Sequence, residues 1–230
     1  YLSIFLALIS LLSFLNILYS YYFNLYLNLN TYFYTLLISG LFSLIFFKFQ
    51  SNRKRPTLFE KILTILFGYI FIPLILSIPF YFSIYNLTFL NSLFESVSGF
   101  TSTGFSIFDN IKQIDQSLIL WRSTTQWIGG LYFLFSIIFL IDIYDESLKR
   151  SLTNFISLNN SEIIKQTVKV FILYFLLTFF IFIILELIGL RTFNSVNLAL
   201  TLISSGGFLP FNDISLILNT NFKKIIFSIL

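Results

Sequence analysis

The stretch Phe94–Asn110 reads Phe-Glu-Ser-Val-Ser-Gly-Phe-Thr-Ser-Thr-Gly-Phe-Ser-Ile-Phe-Asp-Asn and lies between two long apolar segments. A second stretch, Thr201–Asp213, reads Thr-Leu-Ile-Ser-Ser-Gly-Gly-Phe-Leu-Pro-Phe-Asn-Asp. The two align without a gap at an offset of 103 residues, the distance from Gly104 to Gly207. The Asp-Asn pair that ends the first stretch falls on an inverted Asn-Asp pair in the second. Two such glycine-rich loops between apolar segments indicate a repeated structure and are typical of an ion pathway.

Composition places the chain in a membrane. Of its 230 residues, 57% are hydrophobic and 10% are charged, and the mean hydropathy is +0.89. These values exclude an ordinary soluble surface. The first apolar segment lacks a preceding basic region and a following cleavage site, which predicts a retained helix. The chain begins at Tyr1 without methionine and ends at Leu230 inside an apolar run, so we expect it to be a fragment of a longer protein.

The residue types that are missing limit the chemistry. The sequence contains no Cys and no His, which removes thiolate nucleophiles, imidazole bases and the usual transition-metal ligands. We therefore expect no transition-metal site, no covalently bound cofactor and no enzymatic activity. A membrane-embedded lipid enzyme would need such groups or clustered carboxylates at membrane depth. A purely structural subunit would not need two matched loops.

The lengths of the apolar segments predict the organisation of the chain. A membrane-spanning helix needs about 20 mostly apolar residues, so shorter stretches are expected to enter the membrane only part of the way. We predict a transmembrane hairpin over 1–50, a helix/loop/helix unit over 51–144, and a cytoplasmic linker with an incomplete second unit over 145–230. The spanning segments are predicted at about 1–20, 31–47, 58–84, 117–143 and 170–190, with a short half-crossing helix over 87–100.

Three smaller features refine this prediction. Pro73 and Pro79 are expected to kink or end the third spanning segment, because proline removes a backbone donor. The Gly129-Gly130 pair is expected to permit close packing between helices.

Charge asymmetry predicts the orientation. Positively charged loops stay on the cytoplasmic side, which places the basic segments 48–61 and 145–169 in the cytoplasm. The N-terminus is then cytoplasmic and both glycine-rich loops face outside. Lys223 and Lys224 fit this orientation less well.

The loops carry the chemistry expected of a cation site. Irregular backbone at membrane depth persists only where protein buries it or water solvates it. Glycine next to Thr and Ser allows carbonyl oxygens to turn inward and replace the hydration shell of a cation. The C-terminal end of the preceding helix adds a partial negative charge. Asp109 and Asp213, beyond the loops, either concentrate cations or cap the loops. The predicted ion-binding residues are Thr101, Ser102, Thr103, Gly104, Ser204, Ser205, Gly206 and Gly207.

The segments Phe-Glu-Ser-Val-Ser-Gly-Phe-Thr-Ser-Thr-Gly (94–104), Trp-Arg-Ser-Thr-Thr-Gln-Trp-Ile-Gly-Gly (121–130) and Ser-Ser-Gly-Gly-Phe (204–208) resemble the TrkH/KtrB superfamily of potassium uptake proteins. The resemblance covers nearly the whole chain. It implies an all-α membrane protein with an N-terminal helical hairpin and helix/pore-loop/helix repeats of the potassium-channel-like type, pseudo-fourfold in the full protein. This chain would hold the N-terminal half.

The resemblance also implies a function and a set of supporting residues. The family pattern places K+, as the transported ion, on the loop oxygens named above, and Glu95, Arg122 and Gln126 match the family's surroundings of the first filter. The second loop departs from the pattern, with Ser204-Ser205-Gly206 in place of a threonine-rich form. A sodium-conducting or sodium-coupled relative is the alternative, because the same oxygen chemistry serves both ions.

The partners implied by the resemblance are a second copy of the chain and a cytosolic nucleotide-binding regulatory subunit of the TrkA/KtrA type. The expected location is the inner (plasma) membrane, in contact with the lipid bilayer. No nucleic-acid partner is expected.

Overall fold

Nine α-helices make up most of the chain that the structure describes. A computed structural model of the protein describes residues 2–49, 58–140, 163–213, 217–218 and 220–229. The helices are α1 (Leu2–Tyr22), α2 (Leu29–Lys48), α3 (Leu58–Leu76), α4 (Ile78–Tyr81), α5 (Phe89–Phe100), α6 (Gln116–Leu140), α7 (Ile163–Leu187), α8 (Thr192–Ile203) and α9 (Asn221–Ile229).

Five stretches are long and apolar enough to cross a membrane, and no strand occurs in the described ranges. They are α1, α2, the α3–α4 pair over Phe59–Tyr81, α6, and the part of α7 over Val168–Leu187. The all-α membrane fold predicted from the sequence is therefore confirmed.

Helices α1 and α2 pack side by side in opposite directions. The Ser10 hydroxyl donates to the Leu36 carbonyl at 3.2 Å, and the Ser43 hydroxyl donates to the Ser3 carbonyl at 2.8 Å. The turn between the helices contains Asn24 in the left-handed region, with φ of 57°. The hairpin thus lies where the apolar segments predict it, with each helix extending slightly further than expected.

The proline-containing segment breaks where the sequence predicts. Pro73 lies in the last turn of α3, and Pro79 lies in the first turn of α4. The carbonyls at the break bind other elements: Ser96 of α5 donates to the Pro73 carbonyl at 2.6 Å, and the Trp121 indole of α6 donates to the Leu76 carbonyl at 3.1 Å. The break thereby anchors α5 and α6.

Helices α5 and α8 are short and equivalent. Each has 12 residues, and their first and last residues differ by the same offset of 103 that relates the loops. The Thr88 hydroxyl caps α5 by accepting from the Asn91 N–H at 3.3 Å. Neither helix is long enough to span a membrane.

One boundary differs from the prediction. Helix α7 begins at Ile163, although the apolar segment was predicted from about 170, so Lys165 and Lys169 belong to the helix and not to an irregular linker. Lysine and glutamine are good helix formers, and a helix can continue beyond its apolar part. The predicted basic residues Arg53, Lys54, Arg55, Lys149 and Arg150 lie outside the described residues.

Candidate ion-coordinating site

The two glycine-rich loops follow α5 and α8 and make the same turn. In each, two backbone N–H groups donate back to carbonyls near the end of the short helix, at equivalent positions. Ser102 and Ser205 both lie in the left-handed region, with φ of 55° and 53°. In the first loop, Ser102 N donates to Gly99 O and Thr103 N donates to Ser98 O, both at 2.9 Å. In the second loop, the equivalent bonds run from Ser205 N to Leu202 O at 2.9 Å and from Gly206 N to Thr201 O at 2.8 Å. The register of 103 residues is therefore kept in the backbone.

The loops meet at their central glycines. A Cβ placed on Gly104 would lie 2.8 Å from the Gly207 Cα, and one placed on Gly207 would lie 3.2 Å from the Gly104 Cα. Gly104 also has φ of +81°, a region that L side chains rarely adopt. The two backbones are thus in direct contact at the residues that the sequence aligns.

The predicted ion-binding residues differ in how their side chains are used. The Thr101 hydroxyl donates to the Val97 carbonyl at 2.8 Å and lies 2.7 Å from the Thr103 hydroxyl. Ser204 is buried, and its hydroxyl lies 3.0 Å from two carbonyls of α8. Ser205 is exposed. Because the hydroxyls of Thr101 and Ser204 already bind helix carbonyls, the backbone carbonyls are the more available oxygens at these two positions.

Residues of both loops border one cavity of about 490 Å³. Thr101 and Ser102 line it from the first loop, and Ser204 and Ser205 line it from the second. Gly129 and Gly130 of α6 complete part of its wall. Polar oxygens of the two loops therefore share one space.

The Gly129-Gly130 pair brings α6 close to both short helices. A Cβ on Gly129 would overlap the Phe100 carbonyl at the end of α5. A Cβ on Gly130 would lie 2.6 Å from the Tyr174 hydroxyl and 2.9 Å from Ser204. The pair is a close-packing site, as predicted.

A buried ion pair holds the second half of the first loop, at Ser106 and Ile107. Arg122 Nε lies 2.7 Å from Glu95 Oε1, and the two side chains are 1% and 0% exposed. The Glu95 carboxylate also accepts from the Ile107 N–H at 2.9 Å and from the Ser106 hydroxyl at 3.1 Å. Arg122 Nη2 donates to that same hydroxyl at 2.9 Å. A buried charge needs such pairing and hydrogen bonding, and here it connects α5, α6 and the loop.

Arg122 also reaches the second loop. Its guanidinium carbon lies 4.3 Å from the centre of the Phe208 ring and 5.6 Å from that of Phe108. These are cation–π distances. One buried arginine therefore contacts both loops.

Gln126, one turn further along α6, supports the second loop. Its Oε1 accepts from the Phe208 N–H at 3.3 Å, and a Cβ on Gly206 would overlap its carboxamide. The sequence resemblance placed Gln126 around the first filter, whereas the structure places its carboxamide against the second. Residues four apart share a helix face, so α6 presents Arg122 and Gln126 together to the two loops.

Asn212 joins the two loops and was not among the predicted site residues. Its Oδ1 accepts from the Ile111 N–H at 2.7 Å, and its Nδ2 donates to the Asp109 carbonyl at 3.1 Å. A carboxamide can make both bonds at once, because its oxygen accepts and its nitrogen donates. A sequence pattern could have indicated this role. In the inverted pairs, Asn212 of the second loop aligns with Asp109 of the first, which places an amide opposite the first loop.

Asn197 was also missed. Its Oδ1 accepts from the Ser123 hydroxyl at 2.6 Å, in a buried contact that attaches α8 to α6. Nothing in the local pattern around Asn197 marks it, since the contact depends on how the two helices face each other.

These features define a multi-pass helical membrane protein with two matched, oxygen-rich loops in contact. The sequence model of the TrkH family, described as a cation transport protein, matches residues 24–216. The chain therefore belongs to the TrkH family.

Similar proteins agree with this membership. The chain is 31% identical to an uncharacterized cation transporter of Methanocaldococcus jannaschii over 83% of its own length and 42% of that protein's. It is 44% identical to the Trk system potassium uptake protein TrkG of Escherichia coli, over 20% of this chain and 10% of that protein. It is 40% identical to TrkI of Halomonas elongata, also a Trk system potassium uptake protein, over 26% of this chain and 11% of that protein.

A solved structure shows the same fold. The crystal structure of the potassium transporter TrkH from Vibrio parahaemolyticus matches with a TM-score of 0.71 and 18% identity, over 98% of this chain and 47% of that one. Most of this chain matches the Methanocaldococcus jannaschii transporter and the Vibrio parahaemolyticus TrkH. It nevertheless spans less than half the length of either protein.

Proposed function

We propose that this chain forms part of a potassium uptake pathway of the Trk type, in which oxygens of the two glycine-rich loops coordinate the ion. The observation that carries the proposal is the contact of Gly104 with Gly207 at the centre of two loops with the same turn. Two equivalent loops that meet at one point can offer oxygens to one ion. The coordinating residues are those predicted: Thr101, Ser102, Thr103, Gly104, Ser204, Ser205, Gly206 and Gly207.

Selection in this proposal rests on carbonyl and hydroxyl oxygens that replace the hydration shell of the ion. The C-terminal ends of α5 and α8 lead into the loops, and their partial negative charge favours cations over anions. The membrane potential would drive uptake by about 2.3 kcal/mol per charge per 100 mV. No covalent chemistry is required, so the protein acts as a transporter and not as an enzyme.

Glu95, Arg122 and Gln126 act as supports. The carboxylate and the guanidinium fix the first loop, and the carboxamide fixes the second, without contact with the ion. Their hydrogen bonds hold the loop backbones in place while the ion passes.

Potassium is favoured over sodium because TrkG and TrkI, which match short segments of this chain at 44% and 40% identity, are potassium uptake proteins. The sodium-conducting or sodium-coupled alternative is separated by measuring uptake of each ion.

The proposal extends to the organisation of the whole protein. Residues 1–50 form the hairpin, 51–144 the first helix/pore-loop/helix unit, and 145–230 the linker and part of the second unit. The protein lies in the inner (plasma) membrane with its N-terminus in the cytoplasm and its loops facing outside. It works as a homodimer with a cytosolic nucleotide-binding subunit of the TrkA/KtrA type.

Growth at low potassium tests the proposal. The full-length protein, expressed in cells that lack potassium uptake, is expected to restore growth, and Gly104→Asp is expected to abolish it. Gly189→Asp is the matched control, because Gly189 also has a positive φ of 79° but has open space around it. Growth of the Gly104→Asp cells equal to that of the control would refute the assignment of the loops. Sodium uptake without potassium uptake would support the alternative.

A further inference from the structure

A second cavity, of about 530 Å³, shares no lining residue with the cavity that the two loops border. It is bordered by the C-terminal end of α1, the short 3-10 turn Ile111–Gln113, the N-terminal end of α8, and Pro210 and Phe211 of the second loop. Its polar lining residues include Tyr19, Gln116 and Asn194. The proposed ion pathway does not use this cavity.

Two cations line the cavity. Lys112 and Arg191 are exposed, and the structure shows no acceptor for either side chain among the described residues. None of the lining residues is acidic. Asp115, the nearest carboxylate in sequence, accepts from the Ser117 hydroxyl at 2.6 Å and from Asn28 at 3.4 Å. The lining side chains therefore carry two positive charges and no negative charge.

The N-terminus of α8 faces the same cavity. Arg191, Thr192, Phe193 and Asn194 all line it, and no side chain caps the helix. The Asn194 and Ser195 N–H groups donate to the Arg191 carbonyl at 2.8 and 2.9 Å, which leaves the Thr192 and Phe193 N–H groups without an acceptor among the described residues. These groups carry the positive end of the helix dipole. Backbone donors and cationic side chains thus converge on one space, the combination that binds anions at helix N-termini.

Asn194 independently points to a ligand. It is only 7% exposed and lines the cavity, yet its carboxamide has no hydrogen-bond partner among the described residues. Asn194 is not among the residues with fully buried, unsatisfied polar atoms, so its amide is open to the cavity and free to bind a ligand there. Gln116 adds a further donor, because its Oε1 already accepts from the Tyr19 hydroxyl at 3.4 Å and its amide nitrogen remains available.

The apolar part of the cavity indicates the depth at which it lies. Phe23, Phe193 and Phe211 line it beside the cations. Tyr21 and Tyr22, at the same end of α1, are 51% and 81% exposed. Exposed tyrosines at the end of a spanning helix mark the level of the lipid headgroups.

We propose that this cavity binds a phosphate group, and that its source is the phosphodiester of an anionic membrane phospholipid. Lys112, Arg191, the Asn194 amide and the N–H groups of Thr192 and Phe193 donate to the phosphate oxygens, and the phenylalanines contact the glycerol and the upper acyl chain. The site goes beyond cation transport and does not depend on it.

Lipid binding to the full-length protein tests the proposal. Nanodiscs of phosphatidylcholine with and without phosphatidylglycerol are compared, and the phosphatidylglycerol retained on the protein is counted by native mass spectrometry. Inorganic phosphate is titrated separately into the phosphatidylcholine nanodiscs. Arg191→Gln and Lys112→Gln are each expected to weaken phosphatidylglycerol binding by about tenfold, since each removes one charge-assisted contact. Lys224→Gln, an exposed cation outside the cavity, is the charge-matched control and is expected to change nothing.

Asn194→Leu separates the specific site from general charge attraction. It leaves the net charge unchanged, so weaker phosphatidylglycerol binding by this variant supports the site. In another outcome, the same variants weaken the binding of inorganic phosphate, while the wild-type protein shows no preference for phosphatidylglycerol. That result supports the phosphate chemistry and makes free phosphate the source. Two results overturn the proposal. In the first, Lys112→Gln, Arg191→Gln and Asn194→Leu leave the binding of both ligands unchanged. In the second, Lys224→Gln weakens binding as much as they do.

Discussion

The first loop is held by a buried ion pair. The second loop, with the same backbone turn, is held by the neutral carboxamide of Gln126 and by the contact of Arg122 with its Phe208 ring. Glu95 of α5 corresponds at the offset of 103 to Leu198 of α8, and both are fully buried. The carboxylate accepts from the Ile107 N–H, a contact that a leucine cannot make. In the second loop, Gln126 accepts from the Phe208 N–H instead, and Arg122 lies against the Phe208 ring.

This difference shows which part of the repeat is shared. The Ile107 N–H is bound by a carboxylate of α5 and the Phe208 N–H by a neutral carboxamide of α6, but the backbone hydrogen bonds and the left-handed serines of the two loops are the same. An ion pathway that uses backbone oxygens requires the same turn in each loop and tolerates different supports. The two loops are therefore expected to fail in different ways when their supports are changed.

The largest effect is expected from breaking the ion pair of the first loop. Arg122→Met leaves the Glu95 carboxylate buried without its partner, which typically costs about 3–5 kcal/mol of unfolding free energy. Denaturant unfolding of the full-length protein measures this cost, with the exposed Lys224→Met as the control. Potassium uptake is expected to be lost as well.

The double variant Glu95→Leu/Arg122→Met sharpens the comparison, because it copies the leucine of the second repeat. Removing both charges is expected to restore most of the stability, since no unpaired buried charge remains. Uptake should stay low, because the Ile107 N–H no longer has its acceptor. A double variant as unstable as Arg122→Met would contradict this account of the first loop.

The two central glycines are expected to respond unequally to alanine. Gly104→Ala places a side chain at φ of +81°, which costs about 1–2 kcal/mol for an L-residue, and pushes it against Gly207. Gly207→Ala requires no positive φ, but its Cβ would lie 3.2 Å from the Gly104 Cα, closer than ordinary van der Waals contact, so the Gly104 backbone would have to shift by a few tenths of an ångström. Rubidium uptake by reconstituted full-length protein should fall much further for Gly104→Ala. Equal loss in the two variants would show that the contact is not arranged as described.

A smaller effect is expected from the support of the second loop. Gln126→Leu leaves the buried Phe208 N–H without an acceptor, at a cost of about 1–3 kcal/mol. The ratio of potassium to sodium uptake should fall, because the second loop loses the bond that positions its backbone. Gln113→Leu, at an exposed position, makes the same change away from the loops. If both variants keep the wild-type ratio, Gln126 does not position the second loop.

The smallest effect is expected at the contact between the loop ends. Asn212→Asp keeps the acceptor for the Ile111 N–H but loses the donor to the Asp109 carbonyl, which should cost about 0.5–1.5 kcal/mol. Asn110→Asp is the matched control, because only the oxygen of Asn110 is used, in accepting from the Lys112 N–H. Thermal unfolding should separate the two variants, and identical midpoints would count against the bridge.

The fold and the repeat were predictable because local patterns encode them. Apolar length located the hairpin and the first short helix, and the aligned glycines predicted the offset that α5 and α8 share. The direction of the Gln126 side chain could not be predicted, because it depends on the rotation of α6 relative to a loop that lies 82 residues away in sequence. The early start of α7 was missed for another reason: hydropathy marks where a helix becomes apolar, not where it begins.

The most direct test of a shared ion pathway is thiol labelling of both loops during uptake. Thr103 and Ser205 are exposed, and these 230 residues contain no cysteine, so Thr103→Cys and Ser205→Cys can be made in a full-length background freed of other thiols. Leu90→Cys, 74% exposed on α5, is the control. We expect a charged methanethiosulfonate reagent to block rubidium uptake in both loop variants, with potassium slowing the reaction, and to leave the control active. Complete labelling of either loop cysteine with uptake unchanged would contradict the proposal that both loops line one pathway.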